Sequence, residues 1–414
     1  MVSETLGTRV MIEIPKVKLP RVSVVMVTFG HWDWASSALE ALVRETPPVF
    51  EAIVVDNAHP DGTGERLERG VSGAAIIRNE INAGFGPACN QGASAAKGEF
   101  LCFLNSDVLV TKGWLDPLIA ALRDEAAGAA VPCLLNLDGT IQDAGALVGS
   151  DGRTVALGAG GDPLDLAYRF PRDVDYGSAA CLLVRRPVFE SLGGFDPVYE
   201  IGYCEDVDFG FRLAEQGLVA RYEPRSRVLH AGGASSAPEV VERLVERNTR
   251  VLRERWRRKL ALRPSLVGWE GRPDAVVAAR DSEALDRFLV IVDRIPSLDA
   301  PEGRLVETML TEWPRSRVTI LSPTANEAEL AGPLLDSGAE IVCDPEDDSA
   351  WFEARLFHYS VVVDCVTRSE KRFAHLVERT QPQAFVADGS LLADDPGLFG
   401  ETMAPFGVAP ASAA

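Results

Sequence analysis

Four short apolar runs in the first quarter of the chain each stop abruptly at polar residues, and no other feature narrows the choice of fold so far. Residues 22–29 (VSVVMVTF) read as one buried strand, and residues 52–55 as a second that ends in Asp56-Asn57. Residues 74–77 form a third, ending in Arg78-Asn79, and residues 100–104 a fourth, ending in Asn105-Ser106-Asp107. Continuous apolar runs of this length fit strands buried on both faces. Helical spacing lies between them, in residues 34–44 with Ala35, Leu39, Leu42 and Val43 on one side, and in the small-residue stretch 88–96. This alternation predicts an α/β fold with a doubly wound, mostly parallel sheet. Right-handed crossovers would place all four polar strand ends along one edge, where open α/β sheets take their ligands.

The middle of the chain has a different texture. Residues 149–175 are rich in Gly, Asp and Pro and are expected to form a long functional loop or lid. Residues 176–184 read as a strand, 193–197 as a tight turn, and 205–216 as a helix whose acidic opening suits its positive end. Residues 227–230 form a short strand ending at His230, and 239–259 one helix with eight Lys or Arg against four Glu. A solvated helix face is the first reading of that basic stretch, and docking to anionic lipid headgroups the alternative. A second strand and helix alternation follows, with strands at 288–292, 318–321, 340–343, 361–364 and 384–387. The expected organisation is a leader (1–20), a first α/β domain (21–261), a linker (262–286), a smaller Rossmann-like α/β domain (287–390) and a disordered tail (391–414).

Bulk properties exclude several classes of function. A net charge of -20 over 414 residues argues against sequence-independent binding to nucleic acid, which needs a basic surface. The seven cysteines form no CxxC pair and several lie in apolar runs, as expected of buried thiols in a reducing compartment. The first twenty residues lack the basic and apolar regions of a signal peptide, and no run reaches the ~20 apolar residues of a membrane span. A cytoplasmic protein is expected, with any membrane contact peripheral; oligomerisation stays open.

At the level of chemistry, Asp107 at a rigid strand end suits a hard divalent cation, although Asn-Ser-Asp also suits a plain turn. Asp56, Asn79, Asp107, the pair Glu205-Asp206 and His230 all fall at strand ends or a helix start in the first domain. Around them, SVVMVTFG (23–30), VVDNA (54–58), RNEINAGFGPACNQG (78–92), LNSD (104–107), GGFDP (193–197), YCEDVDFGFRL (203–213) and VLHAGG (228–233) occur in a specific order and spacing. In these segments residues 20–260 resemble the inverting GT-A glycosyltransferases of family 2, especially bacterial rhamnosyltransferase-like and galactofuranosyltransferase-like members. The chain departs from the family pattern at Asn105, where an acid is usual.

The resemblance implies transfer of a sugar from a pyrimidine nucleotide-sugar donor (dTDP- or UDP-sugar) to a hydroxyl of a saccharide, lipid-linked or natural-product acceptor. It implies Thr28, Asp56 and Asn57 around the base and ribose, and Asn79, Asn82, Gly84, Phe85, Asn105 and Ser106 along the rest of the donor. Asp107 and His230 would hold Mg2+ or Mn2+ against the diphosphate. Asp206 is the first choice for the base that takes the acceptor proton, with Glu205 the alternative. Both carboxylates should be ionised unless buried. Gly194, Phe195 and Asp196 are expected on the acceptor side. The second domain is similar to an appendage that some bacterial members carry, and offers no motif of its own. Two other readings compete: a nucleotidyltransferase, which would want a glycine-rich basic signature after the first strand, and a non-catalytic nucleotide-sugar-binding scaffold, which Asn105 favours.

Overall fold

The computed structural model describes residues 11–232, 238–269, 273–282, 284–324, 328–366, 372–404 and 408. By internal contacts the chain divides into two units: one comprises residues 1–147, 152–163 and 173–260, the other residues 148–151, 164–172 and 261–414.

The first unit is built on a mixed sheet. Four parallel strands lie in the order Ala75–Arg78, Phe50–Asp56, Val22–Thr28, Phe100–Asn105. Val22–Thr28 is buried along its whole length, which is why it shows no polar alternation. Cys181–Arg185 then runs antiparallel to Phe100–Asn105, followed by Ala127–Leu135 and Val219–His230. Because Cys181–Arg185 is reversed, its preceding loop (176–180) meets the same edge as the C-terminal ends of its neighbours. Val108–Val110 folds back on Val219–His230 with His230 opposite Val108, which brings His230 beside Asp107.

Several expected boundaries move. The strand expected over 176–184 begins only at Cys181, since 177–180 turn at the sheet edge. The strand expected over 227–230 is the end of a twelve-residue strand, Val219–His230, interrupted by an irregularity between Glu223 and Arg227 that broke its apolar pattern. The loop expected over 149–175 holds the strand Thr154–Ala156 and a 3-10 turn, Leu166–Tyr168. The single basic helix is two, Pro238–Arg255 and Arg257–Leu260. Trp256 marks the break, where its indole donates to Asp208 at 2.8 Å.

The second unit carries a five-stranded, wholly parallel sheet in the order Glu340–Cys343, Arg317–Ser322, Arg287–Ile291, Val361–Asp364, Phe385–Asp388. Counted along the chain that order is 3-2-1-4-5, the Rossmann arrangement. Pro273–Arg280 is a helix inside the stretch expected as linker, with Ala275, Val277 and Ala279 buried. The tail expected to be disordered from residue 391 carries the helix Leu398–Met403, whose Phe399 and Met403 are fully buried. Both segments are rich in Pro, Gly and Ala, and a few spaced apolar residues tie them to the core. Residues 405–407 and 409–414 lie outside the described residues.

The helix Phe85–Ala95 lies so close to the central strand that a Cβ on Gly92 would meet the buried side chain of Val25. Helix propensity alone favours Ala over Gly by about 1 kcal/mol. Overpacking a branched, buried neighbour costs about 1–3 kcal/mol and wins. Gly92→Ala is therefore expected to lower the free energy of unfolding measured in denaturant.

Candidate active site

The parallel register sets the first part of the site. Thr28 is the register partner of Asp56, and Asp56 of Arg78, so the three strand ends stand level. Asp56 is buried, and Arg78 Nε approaches its Oδ2 at 3.3 Å while also reaching Glu65 and Glu68. Burial pushes the Asp56 carboxyl upward, and Arg78 opposes the shift. Its Oδ1 and the Thr28 hydroxyl are both buried without a hydrogen-bond partner. Two unmatched polar atoms on adjacent strand ends are expensive unless something binds there.

Asn57 has another role than expected. Its Oδ1 accepts from Asn79 Nδ2 at 3.0 Å and Ala83 N–H at 2.9 Å, and its Nδ2 donates to Asn82 Oδ1 at 2.8 Å and Gly84 O at 3.3 Å. Every hydrogen-bonding position of that amide is committed to the 79–84 loop in this structure. Asn79 also donates to Gln91, and Asn82 accepts from Gly84 N–H. The three asparagines thus brace the entry to helix Phe85–Ala95. Gly84 has φ 89°, and a Cβ there would press on the Ile201 backbone. Phe85 opens the helix, its N–H donating to Ile201 O at 2.7 Å.

Asn105, Ser106, Asp107 and His230 come together at the next strand end. His230 Nε2 lies 3.3 Å from Asp107 Oδ1 and 3.5 Å from Asn105 Nδ2. Ser106 and Asp107 are buried and His230 largely so. Among the described residues no cluster of three or more His, Cys, Asp or Glu could hold a metal, so this pair would need further ligands from substrate or water.

Glu205 and Asp206 begin the helix Glu205–Glu215. Asp206, half-buried, accepts from Ala179 N–H at 3.3 Å and Val207 N–H at 2.8 Å. Ala180 O in turn accepts from Asn105 N–H at 2.9 Å, so one peptide step links the two clusters. Burial raises the Asp206 carboxyl to about 6, against the pull of those backbone donors. Glu205 is buried deeper, its Oε2 has no partner, and burial together with the Asp206 charge pushes it well up. Glu205 thus falls under the proviso of burial attached to the expectation that both are ionised, and its carboxyl is shifted toward the neutral form.

The loop leading to this pair is strained. Ile201, Tyr203 and Cys204 all have φ near +70°, a conformation that costs about 1–3 kcal/mol at a residue other than glycine. Asn248 holds it: its Nδ2, fully buried, donates to Gly202 O at 2.7 Å and Tyr203 O at 3.1 Å. Behind it, Asp208 has no exposed surface and accepts from Tyr199 OH at 3.1 Å, Trp256 Nε1 at 2.8 Å and Arg212 Nε at 2.7 Å.

Gly194 and Phe195 are buried and Asp196 is partly exposed. Phe195 is completely buried among Phe103, Phe189 and Phe209, and its backbone exchanges hydrogen bonds with the Asn90 amide. Asp196 is paired with Arg255, which lowers its carboxyl. The Phe195 ring therefore packs in the core rather than presenting its face at the surface. Arg78, Asp208, Asn248 and Gln142, a partner of His230, went unrecognised. Arg78 and Asp208 lie inside the motifs that were noticed; Asn248 and Gln142 carry no local signal.

Part of the chain is similar to known proteins. Residues 23–158 match the model of Glycosyl transferase family 2. Over 231 residues the chain is 31% identical to the N-acetylglucosaminyl-diphospho-decaprenol L-rhamnosyltransferase of Mycobacterium tuberculosis, a match covering 50% of this chain and 75% of that protein. It is also 31% identical to the O-antigen biosynthesis protein RfbC of Myxococcus xanthus, over 54% of this chain and 18% of that much longer protein. A solved structure, GalNAc-T7 with UDP, GalNAc and Mn2+, aligns with a TM-score of 0.42 at 20% identity, covering 51% of this chain and 44% of that one. The chain belongs to glycosyl transferase family 2, and most of the matched residues 23–158 fall in its first unit.

Asp208 offers a stability test separate from chemistry. Removing a buried carboxylate while leaving its guanidinium partner behind costs about 3–5 kcal/mol. Asp208→Ala should lower the unfolding free energy by that order in a denaturant titration.

Proposed function

We propose that the first domain is an inverting, divalent-metal-dependent glycosyltransferase using a dTDP- or UDP-sugar, with a saccharide, lipid-linked or small-molecule hydroxyl as acceptor. The observation that carries this reading is the pairing, along one sheet edge, of two unmatched buried polar atoms at Thr28 and Asp56 with the facing donors of Asp107 and His230. A pyrimidine ring has an N–H that Asp56 Oδ1 would accept, and Thr28 Oγ1 can donate to a ring carbonyl. The M. tuberculosis relative, by its name a rhamnosyltransferase acting on a diphospho-decaprenol-linked sugar, favours a lipid-linked acceptor. Among the described residues no helix is long and apolar enough to cross a membrane, so contact with such an acceptor would be peripheral.

The donor set of a carboxylate and an imidazole suits Mg2+ or Mn2+, and a metal bound there would neutralise charge on the leaving diphosphate. Asp107 and His230 would be its protein ligands, and the Asn57 network would keep the 79–84 loop closed around the donor. On the acceptor side, Asp206 takes the hydroxyl proton while the oxygen bonds to the anomeric carbon and the carbon–diphosphate bond breaks, which inverts the centre. Asp206 suits this better than Glu205, because a carboxylate that titrates near 6 is anionic at neutral pH yet still basic. Glu205, kept protonated by burial, would serve as a hydrogen-bond donor.

Asp206 must be deprotonated to act, so kcat/KM should fall about tenfold per pH unit below pH ~6 and level off above it. Asp206→Asn should lose transfer while keeping nucleotide affinity. Both are read by nucleoside diphosphate release across a pH series. Calorimetric titration with UDP, dTDP and GDP, with and without Mn2+, tests the donor site. Mn2+-dependent binding of one pyrimidine diphosphate, weakened in Asp107→Ala, is the expected outcome. Folded protein that binds none of the three would sink the proposal and favour a scaffold role.

A further inference from the structure

Gln142 lies on the short strand Ile141–Asp143, which runs antiparallel to Ala127–Leu135, and none of the chemistry above uses it. Its amide has one orientation that suits its neighbours. Nε2 donates to His230 O at 3.1 Å and to Asn136 Oδ1 at 3.2 Å, so Oε1 is the atom 2.6 Å from His230 Nδ1. Asn136 is oriented in the same way, its Nδ2 donating to Thr140 Oγ1 and Ile141 O, which leaves Oδ1 as the acceptor. An oxygen acceptor at 2.6 Å requires the hydrogen to sit on Nδ1. In a neutral imidazole the lone pair is then on Nε2, which faces Asp107 Oδ1.

We propose that Gln142 is a positioning residue that holds His230 as its Nδ1–H tautomer with Nε2 bare toward Asp107, so that two lone-pair donors converge on one cation position. The proposal rests on the metal reading of the preceding subsection. The Gln142 amide grips both the imidazole and the backbone carbonyl of His230, so ring tautomer and strand end are set by one side chain. Outer partners of this kind typically change metal affinity by about 10–100-fold.

The test uses the full chain labelled with 15N-histidine, metal-free at pH 8.5, where the five histidines give few resonances and His230 is assigned by its loss in His230→Ala. Wild-type protein should show a protonated Nδ1 and a bare Nε2. Gln142→Leu should show mixed tautomers and bind Mn2+, read by electron paramagnetic resonance, about 10–100-fold more weakly. Gln142→Glu, which keeps an acceptor for Nδ1–H, should restore the tautomer, and its melting curve guards against misfolding in the leucine variant. A wild-type Nε2–H tautomer, or Gln142→Leu with unchanged tautomer and Mn2+ affinity, would overturn the proposal. If the tautomer follows Gln142 while Asp107→Ala leaves Mn2+ binding unchanged, the positioning role stands and the metal assignment of the preceding subsection falls.

Discussion

The register of three parallel strands underlies everything at this site. A parallel ladder locks Thr28 opposite Asp56 and Val27 opposite Asn105, so their polar ends finish at one height. A slip of one residue would exchange the two packed faces of Val22–Thr28 and move Thr28 off Asp56. The unmatched atoms of Thr28 and Asp56 follow from that register. They are polar groups that the fold delivers to one edge without a hydrogen-bond partner for Thr28 Oγ1 or Asp56 Oδ1.

The second half of the domain reaches the same edge by a different route. Reversal of Cys181–Arg185 lets the loop before it touch both Asn105 and Asp206, and Val108–Val110 clips His230 to the strand end carrying Asp107. The carboxylates are tuned by what surrounds them. Asp206 keeps backbone donors and stays near 6; Glu205 has none to its Oε2 and rises further. Burial pushes both carboxyls up, and the backbone donors to Asp206 together with its charge beside Glu205 set the two apart.

Much of the polar machinery holds other machinery in place. The asparagines at 79 and 82 help fill the amide of Asn57, Asn248 restrains a strained loop, and Asp208 collects a tyrosine, a tryptophan and an arginine. In the second domain Asp281, fully buried, is likewise taken up by Arg280 and His358. Residues that look like ligand contacts from sequence can be braces, because an amide with all its positions filled has nothing left to offer a substrate.

The sequence by itself determined the α/β class, the two sheets, and the edge on which the first domain's polar strand ends collect. Each of these rests on local information: apolar runs that end in polar residues, with chirality dictating which side the ends face. Only the tertiary structure decided that the Asn57 amide is taken up by the 79–84 loop, that Phe195 is core, that Glu205 is buried with its Oε2 unpartnered, and that Gln142 lies against His230. These depend on which distant side chain fills each hydrogen-bonding position and on how much water remains. Such facts arise from packing between segments a hundred residues apart and leave no periodicity in the chain.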